Sequence, residues 1–399
     1  MAQSKIDIEV LLLHLLPLLA FIVCIARLGA WAAVRLGQPG VVGEIMAGIL
    51  FGPSCLAALW PQAFASFTNP SVEGLPGGTL PLLIKVLSQI GLVLLLFLIG
   101  LEFDFSHLKS TGVGTAAISL TGMALPILGR LLVEWGVART RLAAITITAA
   151  AIDDASGWIL LAAVAGFAHA QLDGGTYSPA ALLSMAAWSL AFLACMVWVV
   201  RPLLVRLTRW LLGQNNGQPG LALLGVLLVA IFSAAAATSW IGIFAIFGAF
   251  LTGAILSSER QLAEALQKNL RLFVTAFFLP IFFASTGLRT RIGTLDSLTP
   301  ALVAVVVLFA AVAGKWGGCL IAARASGFSW REANIIGVLM NTRALMELIV
   351  INVGMELGVL PDSMFTMLVI MAVTTTIMTT PLVRLFSRGT EFEGLKLSM

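Results

Sequence analysis

The chain has 399 residues, 59% of them hydrophobic and 11% charged, with a mean hydropathy of +1.03. A globular domain carries about a quarter of its residues charged, so this composition excludes a soluble domain and indicates a polytopic membrane protein. The net charge of +4 would point to nucleic acid in a soluble chain; here the Lys and Arg residues fall between apolar runs, where they set orientation in a bilayer, and no nucleic-acid partner is expected.

The chain opens with Met-Ala-Gln-Ser-Lys5-Ile-Asp7-Ile-Glu9 and then turns apolar without a small-residue cleavage site, which predicts an uncleaved first helix and not a signal peptide. Apolar spans recur at 8–27, 31–52, 80–102, 112–129, 142–168, 178–204, 219–237, 240–257, 272–288, 300–323, 333–357 and 363–386. The predicted fold is all-α, with about twelve transmembrane helices. The second span holds Gly43-Glu44-Ile-Met-Ala-Gly48-Ile-Leu-Phe-Gly52-Pro53, whose glycines permit tight helix packing. Glu44 is either a site residue, as buried acids within spans are by default, or a cap near one end of its span. Residues 60–80, with three prolines, form a long loop, and Glu102 and Asp104 mark a membrane edge at the end of the third span.

Asp153 and Asp154 stand near the middle of the apolar run 142–168. A single Asp at that depth costs roughly 2.5–3.5 kcal/mol, so the pair needs a cationic partner. Neighbours on a helix point about 100° apart, so one carboxylate can meet a cation while the other lines a cavity. Ala149, Ala150, Ala151, Ala155, Ser156 and Gly157 leave room for a close helix or an ion. Beyond them, Arg201, Arg206 and Arg209 read as cytoplasmic, and Gly213–Gly220 divides the chain into two hydrophobic halves of comparable size. Pro280 is expected to kink its helix unless neighbours satisfy the freed carbonyl. Lys315, within 300–323, is the obvious partner for the aspartates; snorkelling to the membrane surface is the alternative. In the next span, Arg343 and Glu347 lie four residues apart and can pair on a continuous helix, in the weaker orientation. Asn341 and Thr342 can instead serve an unwound segment, and these four residues are candidates for polar support of the core. Most of Thr374, Thr375, Thr376, Thr379 and Thr380 are explained by hydroxyls bonding back to their own helix. Cys24, Cys55, Cys195 and Cys319 lack metal spacing and read as buried free thiols.

The Gly-Glu44-Ile-Met-Ala-Gly-Ile-Leu-Phe-Gly-Pro run, Leu-Phe-Leu-Ile-Gly-Leu-Glu102-Phe-Asp104, Ala-Ile-Asp153-Asp154, Gly-Lys315 and Met-Asn341-Thr-Arg-Ala-Leu-Met-Glu347-Leu together resemble the monovalent cation:proton antiporter-2 family, the Kef-like and plant CHX-like exchangers. The resemblance covers nearly the whole chain. It implies a thirteen-helix inverted-repeat antiporter fold and a homodimer, with dimerisation helices at 8–102 and 219–288 and a linker helix at 178–204. The ion-binding core would lie at 112–168 and 300–386, where two broken helices cross beside the aspartates. It further implies that Asp154 binds the cation or proton and that Asp153 pairs with Lys315. Glu44 and Ser156 are secondary candidates. A carboxylate that loses by burial and gains from a nearby ammonium can alternate between a proton and a weakly hydrated metal ion. No cofactor is expected beyond the transported Na+ or K+ and H+, and no nucleotide-binding regulatory tail is expected after Met399. The resemblance places the protein in the cell (inner) membrane with its N-terminus outside and its C-terminus inside.

One stretch departs from that pattern. His107 and Lys109 before the span 112–129, and Arg130, Arg139 and Arg141 after it, both read as cytoplasmic, although one crossing separates them. Family members carry a broken helix where Gly129 here runs straight into Arg130, so about thirty residues are expected to be missing. Arg289 and Arg291 are a second exception to the charge rule in the expected orientation. The function expected is secondary exchange of Na+ or K+ for H+, without ATP because no GxxxxGK[ST] occurs. The competing expectation is a non-transporting scaffold that lost a core helix. An intramembrane aspartyl protease is disfavoured because its acids would stand on different helices, and the protein is not expected to be an enzyme.

Overall fold

The computed structural model describes residues 7–68, 70, 76–102, 132, 135, 137, 140–143, 145–146, 149–150, 164, 179–214, 220–242, 244–343 and 345–393. Among the described residues there is no strand. Eight helices among them are long and apolar enough to cross a membrane. The calls on Asp153, Asp154 and Ser156, and most of 112–168, lie outside the described residues.

In chain order the helices are α1 (Ile8–Arg35), α2 (Gly40–Leu50), α3 (Pro61–Thr68), α4 (Thr79–Glu102), α5 (Pro179–Cys195), α6 (Arg201–Gln214), α7 (Leu221–Ile241) and α8 (Ala245–Leu256). They continue as α9 (Arg260–Phe273), α10 (Leu279–Arg289), α11 (Leu298–Val312), α12 (Gly318–Ala325), α13 (Trp330–Met340), α14 (Leu345–Glu356) and α15 (Asp362–Phe386). Contacts group them into two compact units. One holds α1 to α3, the first part of α4 and nearly all of α10 to α15; the other holds the rest of α4 and α5 to α9.

In the first unit the glycine run of the second span acts by contact. A Cβ on Gly43 would stand 1.9 Å from the carbonyl oxygen of Gly29 in α1, and one on Gly48 would stand 2.2 Å from that of Ala284 in α10. No larger residue fits, so α2 is held backbone to backbone between two helices. Glu44 belongs to this packing: it is buried and faces Arg27 of α1 at 3.7 Å. In the second unit Gly248 meets the Ala234 carbonyl, and Gly253 that of Phe97, in the same way. Arg209 forks onto Glu259 there with bonds of 2.6 and 3.1 Å.

Three helices widen into π turns, at Met196–Val200, Val274–Phe278 and Ala313–Gly317. The first two share a cause that the sequence shows. Pro202 and Pro280 each follow two residues after the turn, and the carbonyls their rings would strike, those of Trp198 and Ala276, lie inside it. The kink expected at Pro280 is therefore absorbed as a π turn that keeps the chain helical. The third π turn has no proline behind it and carries Lys315. The four cysteines are free; Cys319 is buried, but Cys24 and Cys195 are exposed, against the expectation that all would be buried. Helices that face lipid hide nothing from it, and a thiol is apolar enough to stay there.

Candidate functional site

The span 330–356 is interrupted. α13 starts with a capping box, in which the Ser329 hydroxyl accepts from the Glu332 N–H and the Glu332 carboxylate accepts from the Ser329 N–H. It stops at Asn341, and α14 begins at Leu345. A break at membrane depth exposes carbonyls at the end of one half-helix and N–H groups at the start of the next, so it persists only where protein covers it. Here the cover is ample, because 76% of the most apolar stretch of 330–356 is buried.

The cover comes from α15. Thr376 shares its hydroxyl hydrogen between the carbonyl of Arg343, in the break, and that of Ala372, 2.7 Å away in its own helix. The hydroxyls of Thr342 and Thr379 meet at 2.8 Å, and Thr379 also bonds back to the Thr375 carbonyl at 3.1 Å. Back-bonding therefore explains only part of this threonine run; its other part is to seal the break. Arg343 donates to the carbonyl of Ala311 in α11 at 3.0 Å and pairs with Glu347. The pair forms although the helix is not continuous. Arg343 is in the break and Glu347 in the first turn of α14, where the helix dipole favours an acid, so the orientation penalty of a regular helix does not apply.

Lys315 sits one turn beyond Ala311 and is 8% exposed. Cys319 and Ala323, four and eight residues further on, are fully buried as well, so Lys315 begins an inward stripe of a span whose most apolar stretch is only 6% buried. Trp316 anchors the π turn: its indole N–H donates to Asn334 of α13 at 3.2 Å, and its ring meets Phe386 of α15 edge-on.

Not every polar atom at the break is satisfied. Asn341 Oδ1, Arg343 Nε, Glu347 Oε2 and Thr380 Oγ1 are buried without a hydrogen-bond partner among the described residues. Each such group costs about 1–3 kcal/mol unless a water or an ion meets it. Their concentration around one break marks a place built to receive a polar guest. Among the described residues no three His, Cys, Asp or Glu side chains gather to hold a metal.

The structure thus brings together Asn341, Thr342, Arg343 and Glu347, ties them to the helix of Lys315, and leaves Glu44 in the α1–α2 packing. Sequence reasoning missed Thr376 and Thr379 as partners of the break, with the unpartnered Thr380 next to them on α15. Their spacing of three and four residues, which places them on one helix face, is the signal that shows it.

A polytopic helical protein with a discontinuous helix, sealed by a neighbouring helix and edged by unsatisfied polar atoms, belongs to the class of membrane transporters that build ion sites from broken helices. The family model for the transmembrane sodium/hydrogen exchanger matches residues 18–137 and 126–385, and the chain belongs to that family of transporters, not to the enzymes. It is 35% identical to the Na(+)/H(+) antiporter NhaS4 of Synechocystis over 93% of this chain and 97% of that protein. It is 33% identical to cation/H(+) antiporter 17 of Arabidopsis thaliana over 93% of this chain and 48% of that protein, and 30% identical to cation/H(+) antiporter 19 over 96% and 51%. The chain therefore spans about half the length of these plant relatives. The match to NhaS4 runs over 417 positions, more than the 399 residues of this chain, so the relative carries residues with no counterpart here. The two stretches of the family match meet at 126–137, where Gly129 runs into Arg130.

Proposed function

We propose that the protein exchanges a monovalent cation, Na+ or K+, for H+ by alternating access. One observation carries this reading: buried, unpartnered oxygens of Asn341 and Glu347 flank a break in a transmembrane helix, with Thr380 unpartnered on the helix that covers it, and such a break is where a partly dehydrated ion or its water finds ligands. Asp154 would hold cation or proton in turn, while Asp153 pairs with Lys315. Competition is the mechanism. A proton on Asp154 removes the charge that attracts the cation, and a cation there disfavours the proton, so one site carries either cargo but not both. Lys315 supplies a fixed positive charge from the buried stripe of its span, and the Arg343–Glu347 pair holds the break in shape. The protein would work as a homodimer in the cell membrane, N-terminus outside, with scaffold helices at 8–102 and 219–288 around a core at 112–168 and 300–386. The relatives' names supply the cargo: Na(+) for NhaS4, a cation for the plant proteins.

The test is cation-dependent proton flux in proteoliposomes. Asp154→Asn is expected to abolish it while the protein keeps its melting temperature. Normal flux by a well-folded Asp154→Asn protein overturns the assignment. A second reading, a chain that keeps the exchanger shell without exchange, is favoured by the two-part family match and by the residues of NhaS4 that have no counterpart here. Proton flux in the unaltered protein decides between the two.

A further inference from the structure

The end of the first unit at which α4 and α15 begin and α10 and α14 finish holds a separate set of charges. Lys85 of α4 and Arg289 of α10 both approach Glu356, the last residue of α14, at 3.4 and 3.8 Å. Arg291 approaches Asp362, the first residue of α15, at 3.8 Å. Neutral bonds run alongside: Asn352 donates to Thr286 Oγ1 at 3.0 Å, and the Arg291 N–H donates to Thr366 Oγ1 at 3.2 Å. Five contacts thus fasten the corner 352–366 onto α4 and the end of α10. This also accounts for Arg289 and Arg291, which break the charge rule in the expected orientation: each faces a carboxylate and is no free topology signal.

Two features describe how the corner is held. The ion pairs are longer than the roughly 2.7–2.9 Å of a charge-assisted hydrogen bond, and their members are partly exposed, so each is weak and easily remade. Beside them lies a pocket of about 450 Å3, partly open to the outside and walled by Leu18, Ile22, Ile84, Ser285, Leu288 and Met355, with Arg289, Arg291 and Asp362 at its rim. On the opposite face of α10, Gly287 meets the backbone of Ile45 and Gly48 with no space for a Cβ. α10 is therefore held to α2 backbone to backbone and to the α14–α15 corner by side chains. Moving the corner would break these polar contacts and shift the buried Phe365 and Val353.

We propose that Glu356 and Asp362 are positioning residues for exchange, clasping the α14–α15 corner onto Lys85, Arg289 and Arg291 so that the cavity at this end is shut in one half of the transport cycle. This rests on the exchange reading, and its test keeps the two apart. In a background without Cys24, Cys55, Cys195 and Cys319, Ser285→Cys places a thiol on the cavity wall, and a membrane-impermeant maleimide applied from this side reports opening. Glu356→Gln and Asp362→Arg are each expected to speed labelling about three- to tenfold, the shift a few weak pairs impose on a two-state equilibrium. Arg291→Asp combined with Asp362→Arg is expected to bring labelling back to the parent rate. Where the parent transports, the single variants should change the maximal rate at least as much as they change labelling, with the apparent KM for the cation nearly constant. Labelling unchanged in both single variants, or raised but not restored by the swap, overturns the clasp. If labelling responds while the parent shows no flux, the corner is a latch on the pocket, but the exchange reading falls and with it the role of Glu356 and Asp362 in exchange.

Discussion

Two neighbouring spans solve opposite versions of one problem. The span 330–356 is wrapped by protein and breaks its backbone at Asn341–Arg343; the span 298–325 keeps its helix and buries one stripe, Lys315, Cys319 and Ala323. Hydrocarbon offers no hydrogen bonds, so a lipid-facing helix cannot open, whereas a buried one can if a neighbour supplies hydroxyls. A polar group therefore reaches the interior on the buried stripe of one span and at an interruption in the other. The three π turns differ as well. Two answer to Pro202 and Pro280, while the one at Lys315 has no proline to accommodate.

The largest effect should come from the charge on the buried stripe of the span 298–325. Lys315→Met or Asp153→Asn alone is expected to cost about 3–5 kcal/mol, because either strands a buried charge, and the double change should cost less than the sum. Melting temperatures across the double-mutant cycle check this; additive losses would remove the direct pair. A middle-sized effect is expected at the seam between the spans. A Cβ on Gly337 of α13 would stand 2.6 Å from the Trp316 ring and 2.9 Å from its carbonyl oxygen. Gly337→Leu should therefore displace the π turn and cost about 1–3 kcal/mol, while Phe309→Leu on the exposed face of α11 should stay within about 0.5 kcal/mol. Equal melting temperatures for the two variants would show that the seam does not hold the turn. The smallest effect is expected at the seal of the break. Thr379→Val removes the partner of Thr342 and should cost about 1 kcal/mol. Thr342→Val in the same background should then add almost nothing, which a thermal-shift series in nanodiscs measures.

Much of this was legible before any fold was drawn. The spans follow from apolar runs, and Lys315 and the Arg343–Glu347 pair stand out because charges within such runs are rare and expensive. The break at 341–343 was foreseen as an alternative because Asn341 and Thr342 suit an unwound segment. Glu44 was ambiguous, since one sequence cannot say which residue an acid faces; Arg27 of the preceding helix proves to be that residue. The threonines of α15 were read as local because a hydroxyl's own helix is always within reach, whereas its second partner lies 33 to 37 residues away in the chain.

The sequence by itself determined the membrane class, the approximate spans, the family resemblance and the small set of charges that must find partners, because each depends on composition or on spacing along one element. Only the tertiary structure decided that Lys315 shares a buried stripe with Cys319 and Ala323, that α15 seals the break, and that Glu356 and Asp362 collect three cations from α4, the end of α10 and the turn after it. Those outcomes depend on which helices become neighbours, and contacts between residues far apart in the chain leave no periodic trace in it.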